Sequence, residues 1–196
     1  MGSGWVHPGV VPAAHLPLID KSLYIGNADA YEHSGIEWGD SLCAAFCKPG
    51  ETRHIFLDRE SHIQAKETAK QFIIEGADYI HNHIQKSQEP LLVHCHMGIN
   101  RSGAMLAAYA ILYLNWNANQ AREYIRNQNL IQRALPYAVT NKTFYKVIEE
   151  LVPGSKSEMH AISHVSYNER NLQFPYTLIR SDYAAAQASA VMYKLI

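Results

Sequence analysis

Leu91-Leu92-Val93-His94-Cys95-His96-Met97-Gly98-Ile99-Asn100-Arg101-Ser102 is the stretch that decides how this chain folds. Its first three residues make an apolar run suited to a buried strand, and the residues after Ser102 read as a helix. Cys95 and Arg101 therefore flank a five-residue loop between a strand and a helix. Backbone N–H groups in such a loop, and those opening the helix, point inward and favour an anion. The same field lowers the pKa of a thiol, so Cys95 is expected to ionise readily. Arg101 adds a planar fork able to hold two oxygens of one phosphate. A thiolate beside a bound phosphate implies phosphoryl transfer through a covalent cysteine intermediate. The plainer alternative is a buried core cysteine beside an unrelated surface arginine.

Strand and helix signals alternate on either side of this loop. Leu23-Tyr24-Ile25 reads as the first strand and stops at Gly26-Asn27, while Gly9 to Pro17 reads as an irregular arm. Leu42 to Phe46 and His54 to Leu57 are short apolar runs expected to be strands of the same sheet. Apolar residues at 65, 69, 72, 73, 76, 77, 80 and 84 form a helical stripe, which predicts a long amphipathic helix from Ala65 to about Gln85. Ala104 to Leu114 is apolar nearly all round, as in a helix buried at the centre of a domain. Asn117 is placed to cap a helix from Ala118 to about Gln128, and Thr140 to cap another from Asn141 to Leu151. This order indicates an α/β domain with helices on both faces of a sheet.

Composition narrows the field. A chain of 196 residues is long enough for one full hydrophobic core, and a net charge of −1 gives no global drive toward nucleic acid or an anionic membrane. Three cysteines, an odd number, argue against a disulfide scaffold and for a reducing compartment. The sequence holds no run of about 18 apolar residues to span a membrane, and its N-terminus lacks the features of a signal peptide. The expectation is an intracellular protein, cytoplasmic or nuclear.

The residues His94, Cys95, Gly98, Arg101 and Ser102 fit the pattern HCxxGxxR[ST], and on it the chain resembles the dual-specificity phosphatases of the cysteine-dependent protein tyrosine phosphatase superfamily. The run Leu23-Tyr24-Ile25-Gly26-Asn27-Ala28 is similar to the opening strand of the same family. The resemblance covers roughly Leu18 to Val152. It implies an N-terminal arm at 1–17, a phosphatase domain at 18–152 and a C-terminal extension at 153–196 that is helical in part. The implied fold is a central mixed, largely parallel sheet flanked by helices on both faces. The implied activity is hydrolysis of phosphotyrosine and phosphoserine/threonine in a phosphoprotein substrate, with no metal or other cofactor.

The resemblance also distributes roles. Cys95 would be the nucleophile and Arg101 the phosphate clamp, with His96, Met97, Gly98, Ile99 and Asn100 completing the phosphate-binding loop. Ser102 would donate to the sulfur and ease its departure, and His94 would order the loop. A general acid is needed for the leaving oxygen, and in the family it is an aspartate on a loop after a strand. Asp58, which ends the His54–Leu57 run, fits best; Glu60 is the reserve, and the plainer reading of Asp58 is a turn or capping residue.

Other readings stand beside this one. The run Gly98-Ile99-Asn100-Arg101 resembles the RNA 5′-triphosphatase branch, against which Arg53 with Arg59, and Arg122, Arg126 and Arg133, read as solvated positions rather than a basic patch. His94-x-His96 and His81-x-His83 lack the partners for a tetrahedral metal set. Cys43 and Cys47 read as core thiols, with rescue of oxidised Cys95 as the alternative. The segment from Ser155 to Ile196 carries Tyr167, Tyr176, Tyr183 and Tyr193, and a stripe of Ala184, Ala188, Val191 and Leu195. That stripe is expected to pack on its own domain, or failing that to make a homodimer through the extension. A phosphoprotein-binding scaffold with incidental catalysis is the remaining functional class.

Overall fold

Leu91, Leu92, Val93 and His94 have no exposed surface, as befits a strand covered on both faces, and they form the central strand of the sheet. The computed structural model describes residues 11–45, 47–49, 51, 53–54 and 65–157. Within them the strands β1 (Ala13–His15), β2 (Leu23–Gly26), β3 (Asp40–Cys43), β4 (Arg53–His54) and β5 (Leu91–His94) hydrogen-bond in the order β1-β2-β5-β3-β4. β2 and β3 lie parallel to β5 on either side, β4 is parallel to β3, and β1 is antiparallel to β2. The sheet is thus mixed and largely parallel, as expected. Ala13–His15 falls in the arm expected to be irregular, and there it closes one edge of the sheet.

Among the described residues five helices accompany these strands: α1 (Ala30–His33), α2 (Ala65–Lys86), α3 (Arg101–Leu114), α4 (Ala118–Arg133) and α5 (Lys142–Glu149). Because successive strand residues face opposite sides, Leu23, Ile25, Leu91 and Val93 join the main core with α2 to α5. Leu92 faces the other way, onto Ala13 and Ala30 of α1, with Tyr24, Tyr31 and Trp38 around them. Helices therefore lie on both faces, four on one and a single short one on the other. α3 is buried from Ser102 to Leu112 and forms the centre of the larger layer. It approaches α2 at Gly76, where a Cβ would stand 2.6 Å from Met105 Cγ. The chain continues along α3 after α5, through hydrogen bonds from Gly154 N–H to the Ile111 carbonyl and from Lys156 N–H to the Leu112 carbonyl.

Helix ends follow local chemistry, with two departures from expectation. Asn117 caps α4 in a reciprocal box with Gln120, as its sequence suggests. The helix runs on past Gln128 to Arg133, because Asn129 and Arg133 extend its buried face as polar residues and so hide the periodicity. α5 is capped by Asn141, whose side chain accepts from the N–H groups of Thr143 and Phe144. Thr140, the expected cap, instead donates its hydroxyl to Asn100.

Cys43 and Cys47 are not core thiols: they are joined in a disulfide with a Cα–Cα distance of 5.5 Å. Of the expected His54–Leu57 strand, residues 55–57 lie outside the described residues, as does the extension beyond residue 157. No helix among the described residues is long and apolar enough to cross a membrane.

Burial separates two isoleucines by consequence. Ile111 is fully buried in α3 and Ile131 is 71% exposed on α4. Ile111→Ala is expected to lower unfolding free energy by about 2–5 kcal/mol, and Ile131→Ala by no more than about 0.5 kcal/mol, both measured by urea denaturation.

Candidate active site

The loop from Cys95 to Asn100 has every carbonyl after the cysteine taken from outside. The His96 carbonyl accepts from Ala28 N–H at 3.1 Å, that of Ile99 from Val139 N–H at 3.0 Å, and that of Asn100 from Ala104 N–H at 2.9 Å. Two side chains of α4 take the others. Arg133 donates Nη2 to the Met97 carbonyl at 2.9 Å, and the Gly98 carbonyl accepts from Asn129 Nδ2 at 3.2 Å and Arg133 Nη1 at 3.3 Å. No cis peptide bond occurs among the described residues. In a trans peptide the N–H opposes the C=O, so the amides of residues 97 to 101 are directed to the inner side of the loop. The result is a nest of donors at the N-terminus of α3, whose first turn holds no acidic residue and receives no side-chain cap from Asn100.

Gly98 is what allows the curl. Its φ is +68°, and a Cβ there would fall 2.5 Å from both Arg133 Nη1 and the Gly26 carbonyl oxygen. Any side chain would push apart the loop, β2 and α4 together.

Cys95 is 2% exposed at the base of this nest. Burial alone pushes its thiol up, yet the net direction is down, because the Ser102 hydroxyl and the backbone N–H groups of Ser102, Ile99 and Gly98 converge on the sulfur. The Sγ–Oγ distance to Ser102 is 3.4 Å. These donors favour the sulfur's anion, which a thiol surrounded by hydrocarbon alone would lack.

Arg133, read from sequence as a solvated position, is 1% exposed and supports the loop from behind. Burial pulls its guanidinium down to about 10, with the Cys95 thiolate acting in the opposite sense, so it stays charged at neutral pH. No motif flagged it. Arg122 donates Nε to the Ala138 carbonyl and lies over the Tyr145 ring, and Arg126 pairs with Glu123.

The remaining expected residues divide cleanly. Arg101 opens α3 and is half-buried, immediately before Ser102. His96 and Met97 are exposed on the loop, and Ile99 is buried beneath it in part. Asn100 turns its side chain away from the amide nest: Oδ1 accepts from Asn141 N–H at 2.9 Å and from the Thr140 hydroxyl at 3.1 Å. With Thr140 to Thr143 it lines an open cleft of about 440 Å³ beside the loop. Asp58 and Glu60 lie outside the described residues. His94 is fully buried, and its Nε2 meets Glu51 Oε1 at 2.7 Å. Cys43, Cys47 and Glu51 bring donor atoms within 4.8 Å of one another. The two sulfurs are bonded together and Glu51 is engaged by His94, so this set is committed to the protein itself.

A thiol ringed by inward amides between a parallel strand and a helix defines a class of phosphate-handling α/β proteins. Residues 46–148, more than half of the chain, match the family model described as dual specificity phosphatase, catalytic domain. The chain belongs to that family, within the cysteine-dependent protein tyrosine phosphatase superfamily. It is 30% identical over 66 residues to the human protein phosphatase Slingshot homolog 2, a match covering 34% of this chain and 4% of that protein. Among solved structures it is similar to OH1 from the Orf virus, with a TM-score of 0.51, 18% identity and coverage of 75% of this chain and 92% of that one. OH1 is described as a tyrosine phosphatase with triple substrate specificity. A variant of human DUSP28 gives a TM-score of 0.50 at 16% identity, covering 70% of this chain and 92% of that one. These likenesses bear on fold, and the fold is shared.

The depressed thiol makes a direct prediction. Alkylation of Cys95 by iodoacetamide is expected to reach half its maximal rate at a pH below the ordinary thiol value of about 8.5. Ser102→Ala removes a donor that favours the thiolate, so the midpoint should move up. A wild-type midpoint at or above the ordinary value would contradict the geometry.

Proposed function

We propose that this chain hydrolyses phosphotyrosine and phosphoserine/threonine in protein substrates through a phosphocysteine intermediate. The observation that carries this reading is the outward tethering of the loop carbonyls, which leaves an amide nest around an ionisable sulfur. The inward amides and the Arg101 guanidinium hold the three non-bridging phosphate oxygens, and Cys95 Sγ attacks phosphorus in line with the leaving oxygen. The S–P bond forms as the P–O bond to the substrate breaks, and Asp58 protonates the departing oxygen. A water then attacks the phosphocysteine while Asp58 takes its proton. The Ser102 hydroxyl, already placed against Sγ, donates to the sulfur as it leaves. No metal is assigned a part in these steps.

The RNA 5′-triphosphatase reading rested on Asn100. Its oxygen is spent on the 140–141 backbone and hydroxyl, a structural task that accounts for an asparagine at this position. The arginines that would have formed a basic surface are engaged within the protein at Arg122, Arg126 and Arg133. Both observations favour the protein phosphatase reading.

A phosphatase panel tests it. Phosphotyrosine and phosphoserine/threonine peptides should be turned over faster than phosphoinositides or triphosphate-ended RNA, and Cys95→Ser should abolish all turnover. Preferential release of γ-phosphate from RNA would overturn the substrate assignment. Asp58→Asn is expected to lower kcat on an aryl phosphate by about 10²- to 10⁴-fold. The wild-type rate should rise with pH as Cys95 ionises and fall as Asp58 loses its proton. The falling limb should disappear in Asp58→Asn, and its persistence would assign the acid elsewhere.

A further inference from the structure

The carboxyl group of Glu51 is fully buried, and a buried carboxylate is held only where donors meet both of its oxygens. Here both are met. Oε1 lies 2.7 Å from His94 Nε2, and Oε2 accepts from Lys48 N–H at 3.0 Å. The Lys48 donor is fixed in turn by the residue before it, since Cys47 is tied by its disulfide to Cys43 on β3. Cys43 is the register partner of His94 across the sheet, and Ala44 N–H donates to the His94 carbonyl at 2.8 Å. The chain thus closes a ring: β3, the 43–47 crosslink, the Lys48 amide, the Glu51 carboxylate, the His94 imidazole and back through the sheet.

His94 sits immediately before Cys95, and its imidazole has no exposed surface. Its Nδ1 is buried without a hydrogen-bond partner among the described residues, which leaves the contact at Nε2 to set the ring's orientation. A carboxylate accepting at Nε2 requires the proton there and fixes the ring plane. The peptide between His94 and Cys95 then has little freedom, because the backbone carbonyl on one side and the ring on the other are both anchored.

We infer that Glu51 is a positioning residue for the nucleophile, acting through the His94 ring to hold Cys95 Sγ at the centre of the amide nest. The inference rests on the phosphatase reading of Cys95. It adds a residue that lies far from the loop in sequence and outside its motif. Glu51 touches neither phosphate nor sulfur; it sets where the sulfur stands. Displacement of a reacting atom by about 1 Å costs on the order of 10²-fold in rate, while the phosphate-binding amides remain on their own tethers. The signature is therefore a loss in kcat with KM retained.

The test is a double-mutant cycle on the full chain with an aryl phosphate, using Glu51→Ala, Glu51→Gln, His94→Asn and Glu51→Ala combined with His94→Asn. Folding of each variant is checked by circular dichroism and rates are normalised to folded protein. Glu51→Ala should lower kcat by roughly 10- to 100-fold with KM within about threefold. Glu51→Gln, which keeps an acceptor for Nε2–H and preserves the volume, should retain more of kcat than Glu51→Ala. In the His94→Asn background, Glu51→Ala should cost little more, as expected for two residues acting through one contact. Wild-type kcat in folded Glu51→Gln and Glu51→Ala, or losses that simply add with that of His94→Asn, would overturn the inference. Alkylation of Cys95 by iodoacetamide at neutral pH gives a second readout independent of turnover, and Glu51→Ala should slow it. If the wild-type chain fails to hydrolyse any phosphate ester, the phosphatase reading falls. Unchanged alkylation in Glu51→Ala would then also remove Glu51 from the nucleophile's support.

Discussion

The site depends on which way the loop's peptide groups face. Five successive backbone N–H dipoles cannot crowd one small volume unless something holds the opposite ends of those peptides. Here the opposite ends are bound one by one, by Ala28, Arg133, Asn129, Val139 and Ala104. A buried carbonyl left without a donor costs about 1–3 kcal/mol. Rotating any one peptide inward would orphan its acceptor and blunt the nest in the same motion. The remainder of the fold is the framework that brings these five donor residues to one loop from four different places. β2 leads into Ala28, α4 presents two side chains, the segment before α5 supplies Val139, and α3 supplies its own second turn.

Among these supports Arg133 has the least expected character. A guanidinium with almost no exposure would ordinarily weaken a fold, since a charge moved out of water needs compensation. Its donors are spent on the Met97, Gly98 and Val11 carbonyls and on Asn129 Oδ1, so the hydrogen-bonding demand is met. Its charge is answered by the Cys95 thiolate, which acts on it through the loop. The thiolate raises the guanidinium's pKa against the larger lowering by burial. Gly98 is the place where this support and the loop touch, and there is no room between them for a methyl group.

What the sequence disclosed and what it concealed follow from the range of the interactions involved. The strand, loop and helix around Cys95 were legible because their chemistry is local, with all the decisive residues within twelve positions. α2 was legible because a long apolar stripe reports its own burial. Arg133 and Asn129 were hidden because polar residues on a buried face look like the end of a helix, and what they bind lies more than thirty residues away. Glu51 was hidden for the same reason, since its partner His94 is 43 positions distant and acidic residues in a turn are ordinarily solvated. The disulfide was obscured by counting: an odd number of cysteines suggested free thiols, whereas two pair and the third is the one the site uses. β1 was missed because three small or polar residues among prolines carry no strand signal until β2 offers an edge.

Burial and ionisation of a thiol normally oppose one another, and Cys95 resolves the opposition by concentrating donors rather than by admitting water. That choice has a consequence for the reaction proposed. The donors that steady the sulfur anion are drawn from the same set of amides that would bind phosphate oxygens. In the proposed step the sulfur gives up its charge as the S–P bond forms, and the acid that protonated the leaving oxygen is left as a carboxylate. The amides released by the sulfur can serve the oxygens of the dianionic phosphoryl group without being rebuilt. When the intermediate breaks down, charge returns to the sulfur, and Ser102 at 3.4 Å is already in place to receive it. A nest whose peptides are locked from behind can serve both charge distributions because it has nothing to reorganise between them. The rigidity of the loop and its capacity to act twice in one turnover then have one origin, the tethering of its carbonyls.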